Sequence, residues 1–334
     1  MTKRKIIFRT DGNGQIGMGH YVRSLALANM LKKDFQCVFA TRKPTSYQER
    51  EIIQICNTCI ILSNDDHYSQ FLNKLVGDEI VVLDNYYFNT DYQQAIKNKG
   101  CKLVCIDDMH DRHYVADIVI NNAEGLDANA YSKEPYTKLL LGYKFSLLRL
   151  PFLEAARQTQ ITTPKQKLSK VLISLGATNP ESIIIKITNQ LLAHPAISEV
   201  HLITNIDPKS LTNKANKKTA IYWQLNAEEM VDLMKKTDFG FLPASTLSTE
   251  AIACRLPFIC GWFVNNQKDN YISIEEKSLA LGIGDINTVD DKALYSAITS
   301  ITNPEIANSI FLTQREAIDG CAKERLINEF LQLT

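Results

Sequence analysis

Residues 9–33 read RTDGNGQIGMGHYVRSLALANMLKK and join a glycine-rich loop to a histidine and a helical pattern. Gly12, Gly14 and Gly17 match the spacing G-x-G-x-x-G, which in dinucleotide-binding folds follows a strand and opens a helix. An apolar run at residues 6–8 precedes the loop, as a strand would. The stretch therefore predicts a strand–loop–helix unit of an α/β protein, with the helix beginning no earlier than Gly17.

Two features count against a dinucleotide cofactor. Arg9, Thr10 and Asp11 separate the apolar run from the first glycine, whereas the fingerprint places that glycine directly at the strand end. The next apolar run ends in Arg42 and Lys43 instead of an acid that could bind a ribose hydroxyl. These cations would suit a 2′-phosphate, so an NADPH-dependent reductase stays open as an alternative.

The glycine loop is also suited to another phosphate ligand. Glycines let the backbone approach an anion closely, and the amides at a helix start carry a partial positive charge. His20 lies at that start, where the helix dipole favours the neutral imidazole that a general base needs. A nearby diphosphate would favour the charged form, and the sequence leaves this competition open. The plainer interpretation is that His20 is an ordinary polar residue of a helix N-terminus.

Composition narrows the class of protein. The chain has 334 residues, enough for two domains, with 37 basic and 37 acidic residues. No net charge favours nucleic acid or an anionic membrane, and no apolar run approaches the roughly 20 residues of a membrane span. We expect a cytoplasmic protein without stable membrane association. Its cysteines then stay reduced, and Cys56 and Cys59 form a lone C-x-x-C that lacks the second pair of a zinc site.

Short apolar runs alternate with helical patterns, as in parallel sheets covered on both faces. A polar stretch at residues 158–170 is typical of a linker, and the alternation resumes after it. We predict an α/β fold in which two doubly wound Rossmann-like domains, residues 1–157 and 158–334, face an interdomain cleft; the last helix could pack back on the first domain. The predicted strands are residues 6–9, 37–41, 59–62, 80–84, 103–106, 118–121, 139–142, 171–174, 200–203, 220–222, 239–242 and 257–261.

Two loops of the second half are candidates for holding a nucleotide. ISLGATNPES brings Gly176 to a predicted helix start. LPASTLSTEAIA offers the hydroxyls of Ser245 and Thr246 at a second predicted helix start. Glu250 lies about one turn further on, where its carboxylate can accept hydrogen bonds from a ribose diol. Taken singly, such residues are more often helix caps or exposed helix residues.

Two other loops are polar. WFVNNQKDN carries Asn266 and Gln267, whose amides can bind sugar hydroxyls or an acetamido group; the alternative is a polar turn. The loop after residues 103–106 groups side chains that could ligate a metal: Asp107, Asp108, His110 and His113. We interpret that loop as structural.

Taken together, these motifs resemble the MurG-like GT-B superfamily. Within it, the chain is most similar to the UDP-sugar hydrolases of pseudaminic acid biosynthesis, which cleave UDP-2,4-diacetamido-2,4,6-trideoxy-β-L-altropyranose to UDP and the free sugar. The matching segments, in the order of that family, are FRTDGNGQIGMGHYVRSLALANML, VVLDNYYF, LVCIDDMHDRHYVADIVINN, LLLGYKFSLLRLPF, ISLGATNP, STLSTEAIACRLPFI and NNQKDN.

The resemblance implies a site, residue by residue. The residues it implies for catalysis are His20 as general base, Tyr86 and Asn266. The residues it implies for substrate binding are Arg9, Asp11, Gly17, Gly19, Asp84, Gly176, Ser245, Thr246, Glu250 and Gln267. It implies no metal and no cofactor, and a UDP-sugar as partner. Ala177 and Ala244 depart from glycines usual in that family and add methyl groups beside the presumed diphosphate.

The implied reaction is an inverting displacement at the anomeric carbon. His20 takes a proton from a water, and UDP leaves. A GT-B glycosyltransferase that delivers the sugar to another acceptor is the first alternative, and a nucleotide-sugar-binding protein without turnover is the second. The oligomeric state is not predicted.

Overall fold

The computed structural model describes residues 3–13, 17–158, 166–176, 181–204, 219–223 and 225–334. The chain divides into two compact units, one formed by Met1–Leu150 with Cys321–Thr334 and the other by Pro151–Gly320. Gly14, Ala177 and most of the predicted linker, residues 159–165, lie outside the described residues.

The first unit is built on a parallel sheet of seven strands in the order β3-β2-β1-β4-β5-β6-β7. The order runs backwards from β3 to β1 and then forwards from β4, as in a doubly wound sheet. The strands are β1 (Lys5–Thr10), β2 (Gln36–Arg42), β3 (Thr58–Leu62), β4 (Ile80–Asp84), β5 (Lys102–Ile106), β6 (Ile118–Asn121) and β7 (Lys138–Leu141).

The second unit has a parallel sheet of six strands in the order β10-β9-β8-β11-β12-β13. Its strands are β8 (Lys170–Ser174), β9 (Glu199–Ile203), β10 (Thr219–Tyr222), β11 (Phe239–Pro243), β12 (Phe258–Trp262) and β13 (Leu281–Asp285). The doubly wound α/β class predicted from the sequence is confirmed.

Helices form most of the connections between successive strands, although a loop joins β5 to β6 and a segment with a short 3₁₀ helix, Ala128–Ala130, joins β6 to β7. In the first unit the α-helices are α1 (Gly19–Leu31), α2 (Ser46–Ile55), α3 (His67–Leu72) and α4 (Thr90–Asn98). In the second they are α5 (Leu150–Arg157, which begins at the boundary), α6 (Glu181–Ala193), α7 (Ala227–Lys236), α8 (Thr246–Ala253), α9 (Lys268–Glu276), α10 (Asp291–Ile301) and α11 (Pro304–Ala317). The last helix, α12 (Ala322–Leu331), belongs to the first unit, where Phe330 packs against Phe35.

The strands that carry the candidate site are buried along their length. All five residues of β4 are buried, because helices cover both faces of the sheet. The side chains of Ile7, Val81 and Leu103 form part of one core on one side of it. A rigid core fixes the strand ends, so side chains placed at those ends are held accurately.

The loop after β1 needs glycine at two positions. A Cβ on Gly12 would lie 2.4 Å from the Cβ of Tyr21, so only glycine lets this loop pass against α1. Gly17 has a φ of 90°, and its amide donates to the carbonyl of Asn13 at 2.8 Å. The helix then begins at Gly19, as the sequence predicts.

The observed strands differ from the predicted ones by at most one residue at either end, except for β13, which was not predicted. Gly282 and Gly284 weaken the strand pattern of β13. The predicted strand at residues 257–261 is observed as Phe258–Trp262. Among the described residues, none of the helices combines the length and hydropathy needed to cross a bilayer.

Candidate active site

The candidate site lies at the carboxyl ends of β1, β4 and β5, which are neighbours in the first sheet. Between β1 and β4 the strand order changes direction, and the connections leave the sheet on opposite sides. Ligands of doubly wound sheets bind in the crevice that this switch creates. The candidate residues at these strand ends therefore lie where a doubly wound fold favours ligand binding.

His20 is positioned by the first turn of α1 and by the end of β4. Its Nδ1 lies 2.7 Å from Oδ1 of Asp84, the last residue of that strand. Arg23 and Ser24 follow His20 by three and four residues, so all three side chains share one helix face. Arg23 donates to both oxygens of Asp84, from Nε at 2.7 Å and from Nη2 at 2.6 Å, and Ser24 donates at 3.0 Å.

These contacts determine which ring nitrogen of His20 carries the proton. Asp84 can only accept, so the short contact assigns the hydrogen to Nδ1. Arg23 Nη2 also lies 3.1 Å from Nδ1, but it already donates to Asp84 at a shorter distance. Nε2 is then the nitrogen with a lone pair, and a neutral His20 can accept a proton there.

Asp84 supplies the negative charge for this arrangement. The carboxylate is 1% exposed, and such burial by itself would raise its pKa. The charges of Arg23 and His20 and their hydrogen bonds outweigh burial and lower the pKa of Asp84 to about 2. The group is thus ionised at neutral pH despite being buried.

Tyr86 contacts His20 directly, and Asp108 links Tyr86 to Arg23. The Tyr86 ring stands edge-on to the imidazole, with centroids 4.5 Å apart and an interplanar angle of 80°. Its hydroxyl donates to Oδ2 of Asp108 at 3.1 Å, and Arg23 Nη1 donates to Oδ1 of Asp108 at 2.5 Å. Two carboxylates and one guanidinium leave one net negative charge beside the imidazole.

A second buried network joins the ends of β1 and β2 through Asp11. Arg9 donates to both oxygens of Asp11, at 2.7 and 3.3 Å, and Arg42 donates to them from its backbone N at 2.8 Å and from Nε at 2.5 Å. Thr41 and Tyr87 add hydroxyl donors. Although burial would raise the pKa of Asp11, these cations and donors lower it far below its usual value.

His67 borders the same network. Its Nδ1 accepts from Arg9 Nη2 at 3.0 Å, so the imidazole is the acceptor in this pair. Burial and the positive charges of Arg9 and Arg42 lower the pKa of His67 to about 4. The ring is therefore neutral at physiological pH, unlike a free histidine near its titration point.

The first unit thus brings together five of the predicted site residues. His20, Asp84 and Tyr86 belong to one network, and Arg9 and Asp11 belong to the other. Arg9, Asp11 and Asp84 are between 0 and 1% exposed, and their hydrogen-bond partners described above are protein groups. Only Tyr86, at 38%, is well exposed, while His20 is 5% exposed. The cation of Arg42, which could have matched a 2′-phosphate, is paired with Asp11.

The candidate nucleotide residues lie at helix starts of the second unit. Ser245 is the N-cap of α8, and its side chain accepts from the amide of Leu247 at 3.3 Å. Thr246 begins that helix, and Glu250 on it is 3% exposed. Gly176, with a φ of 81°, follows β8, and none of the described atoms beyond its chain neighbours lies within 4 Å of a Cβ built there.

The remaining predicted residues lie after β12. Asn266 and Gln267 belong to a short 3₁₀ helix, Asn265–Gln267. Gln267 Oε1 accepts from the amide of Phe263 at 3.1 Å, so this side chain fixes its own loop. Asn266 is exposed.

The acidic loop after β5 has the structural role predicted for it, with one exception. Asp107 accepts from the amides of Met109 and His110 at 3.1 and 2.9 Å and so closes the turn, and His113 contacts Ser132. Asp108 instead faces Arg23 and Tyr86. Among the residues that the structure describes, no group of three or more His, Cys, Asp or Glu is placed to hold a metal ion.

Several residues of the two networks were not predicted from the sequence, Arg23 and Asp108 among them. These two carried a signal that could have been found. Arg23 is one helical turn beyond His20, and Asp108 is the second residue after β5, just as Tyr86 is the second residue after β4.

Three curated relatives share sequence with the chain. It is 25% identical over 285 residues to the UDP-2,4-diacetamido-2,4,6-trideoxy-β-L-altropyranose hydrolase of Campylobacter jejuni, covering 82% of this chain and 97% of that one. It is 21% identical to the spore coat polysaccharide biosynthesis protein SpsG of Bacillus subtilis, covering 93% of each. An uncharacterized protein of Methanocaldococcus jannaschii is 23% identical over 80% of this chain, which spans only 57% of that relative. No model of a known protein family matches the chain.

Solved structures establish the fold. MurG of Acinetobacter baumannii superposes with a TM-score of 0.69 at 14% identity, covering 98% of this chain and 99% of that one. UGT2 of Phytolacca americana, solved with UDP-2-fluoro-glucose and pterostilbene, gives a TM-score of 0.68 at 11% identity, covering 99% of each. The chain has the GT-B fold predicted from its motifs.

Proposed function

We propose that this chain is a nucleotide-sugar hydrolase that releases UDP and a free 2,4-diacetamido-2,4,6-trideoxyhexose. The observation that carries the proposal is the pairing of His20 Nδ1 with the buried, ionised Asp84. The similarity to the C. jejuni hydrolase, which extends over 97% of that enzyme, supports the choice of substrate.

The pairing suits His20 to act as a general base. With the hydrogen on Nδ1, the lone pair of Nε2 accepts a proton from a water molecule, and the water oxygen attacks the anomeric carbon. The imidazolium that forms is stabilised by Asp84, in the way that a buried carboxylate stabilises the histidine of a catalytic triad. The electron pair of the breaking carbon–oxygen bond leaves with UDP, and the configuration at the anomeric carbon inverts.

The other predicted residues receive roles that follow from their burial. Tyr86 and Asn266 are exposed enough to contact the sugar. Arg9, Asp11 and Asp84 are buried and hydrogen-bonded to other protein groups, so we assign them to holding the strand ends and loops in place.

On the nucleotide side, helix starts supply donors for anionic oxygens. The amides at the start of α8 and the hydroxyls of Ser245 and Thr246 would bind the diphosphate. Glu250 would accept hydrogen bonds from the ribose, Gln267 would hold its loop, and Gly176 would let the backbone approach the ligand closely.

Incubation of the purified protein with the UDP-sugar in ¹⁸O-labelled water tests the reaction. Attack at carbon predicts release of UDP without ¹⁸O and, by NMR, a first-formed anomer opposite to that of the substrate. If UDP carries ¹⁸O, then the water attacks phosphorus, and the role given to His20 is wrong. If UDP is released only after an acceptor sugar or lipid is added, and the sugar is then found bonded to that acceptor, the protein is a glycosyltransferase.

A further inference from the structure

Asp108 reaches the His20 site from a loop whose other residues have local roles. Its carboxylate bridges Tyr86 and Arg23, accepting from the Tyr86 hydroxyl at 3.1 Å and from Arg23 Nη1 at 2.5 Å. The side chain is 27% exposed, so it lies at the rim of the buried cluster. Asp107, its neighbour, is turned away and closes the loop.

The sheet explains why these two side chains meet. β4 and β5 are adjacent and parallel, and Leu83 is paired with Cys105. Three residues beyond that pair, the chain reaches Tyr86 on one strand and Asp108 on the other. Side chains at equal distances beyond paired positions of neighbouring strands emerge close together.

The hydrogen bond to Asp108 restricts the orientation of the Tyr86 ring. The side chain is 38% exposed, and an exposed aromatic side chain can change rotamer within nanoseconds. Arg23 gives Asp108 a fixed support, because it is itself bound to Asp84 through two hydrogen bonds in the core.

The geometry points to Asp108 as a positioning residue that holds Tyr86 edge-on against His20. This inference rests on the proposed function, because the ring contact affects turnover only if His20 takes part in the chemistry. Asp108 acts through the Tyr86 hydroxyl, and its bond to Arg23 anchors it.

A double-mutant cycle separates this role from a merely structural one. Tyr86→Phe removes only the hydroxyl, and Asp108→Ala removes its acceptor. A hydrogen bond to a charged group predicts a fall in kcat of roughly tenfold for either variant. The double variant should fall no further than Asp108→Ala alone, because the Tyr86 hydroxyl has already lost its acceptor in that variant. Asp111→Ala, in the same loop but with an exposed carboxylate paired to Arg112, should keep full activity.

NMR of the histidine rings provides a readout that does not depend on turnover. The Tyr86 ring shifts the imidazole protons of His20, whose signals are identified by their loss in His20→Gln. We expect these signals to move in the same direction in Asp108→Ala and Tyr86→Phe, and to stay in place in Asp111→Ala.

The kinetic and NMR results test the positioning role of Asp108 separately from the proposed function. A roughly hundredfold loss in the double variant, full activity of Asp108→Ala, or unmoved His20 signals in that variant would each overturn the positioning role. If the wild-type protein hydrolyses no UDP-sugar but the His20 signals move as expected, the proposed function fails while the positioning of Tyr86 by Asp108 stands.

Discussion

Replacing Asp84 by asparagine tests the buried charge on which the candidate site depends. Four hydrogen bonds converge on the carboxylate, one from His20, two from Arg23 and one from Ser24. Asparagine has the same shape but only one acceptor oxygen, and its NH₂ group would face a donor. The variant therefore removes a charge and creates a donor–donor conflict at a position that is 1% exposed.

Two estimates bracket the loss of stability. The fall of the pKa of Asp84 from 3.8 to about 2 corresponds to about 2 kcal/mol of stabilisation at neutral pH. Removing one partner of a buried ion pair typically costs about 3–5 kcal/mol. The larger range applies to Asp84→Asn, because the hydroxyl oxygen of a protonated carboxylic acid could still accept a hydrogen bond, whereas the NH₂ group of asparagine faces Arg23 or His20 as a second donor. Urea unfolding at pH 7 measures this difference.

The stability difference should also depend on pH. A carboxyl group whose folded pKa is lowered stabilises the fold above its unfolded value of 3.8, and that stabilisation is lost as the pH falls towards 2. We therefore expect the gap in unfolding free energy between wild type and Asp84→Asn to be constant above about pH 4 and to narrow below it.

Activity should fall together with stability. Without Asp84 the proton of His20 is no longer held on Nδ1, and the imidazolium loses its counter-charge. General-base catalysis is worth about 10²–10⁴ in rate, so we expect kcat for UDP release to fall within that range. The assay is performed well below the melting temperature of the variant, so that the folded protein is compared.

Asp117→Asn is the matched control for this experiment. Asp117 is also largely buried and accepts from Lys97 Nζ and from the amide of Leu103, each at 2.7 Å, but Leu103 lies near the amino end of β5. The control should lose stability and keep kcat. The reasoning is refuted if folded Asp84→Asn turns over within about threefold of wild type, since general-base catalysis is worth at least ~10².

Three further predictions concern separate parts of the site. His20→Ala should lower kcat by about 10²–10⁴ while calorimetry finds the affinity for UDP unchanged, because the imidazole acts on water and not on the nucleotide. Glu250→Gln should raise the Kd for UDP roughly tenfold through weaker bonds to the ribose, and equal binding would contradict that role. Gln48 Nε2 donates to the carbonyl of Gly12 at 2.9 Å while its Oε1 caps α2 with Thr45. Gln48→Glu keeps the cap but turns a carboxylate oxygen towards the Gly12 carbonyl, so kcat and the melting temperature should both fall. Thr45→Ala should lower the melting temperature alone, because losing a cap costs about 1 kcal/mol.

The strands were predictable wherever they are buried on both faces. In the run IVVLD the first four residues are apolar and only the last is polar, and β4 is found at the predicted residues. The strand β13 was missed because its sequence, LGIGD, contains two glycines and is only half-buried. A Cβ on Gly282 would lie 2.2 Å from Glu275 Oε1 and 2.6 Å from the Tyr271 hydroxyl, so any other residue there would require these side chains to move.

The candidate site was predictable in part. The glycine loop and the helix start place His20 within a few residues, because both signals are local in the chain. The partners of His20 are distant along it: Asp84 is 64 residues away, and Arg23 contacts Asp108 across 85 residues. No local pattern indicates such a pairing.

The sequence by itself therefore determined the doubly wound fold, the glycine loop and the helix whose first turn carries His20, because hydrophobic periodicity and glycine geometry act over a few residues. Only the tertiary structure decided that Asp84 holds Nδ1, that Arg23 joins two carboxylates and that Asp108 meets Tyr86. Parallel strands bring segments that are distant in the sequence to one edge of the sheet. Which charged side chains meet there depends on how neighbouring strands are aligned, and the packing of the whole core determines that alignment.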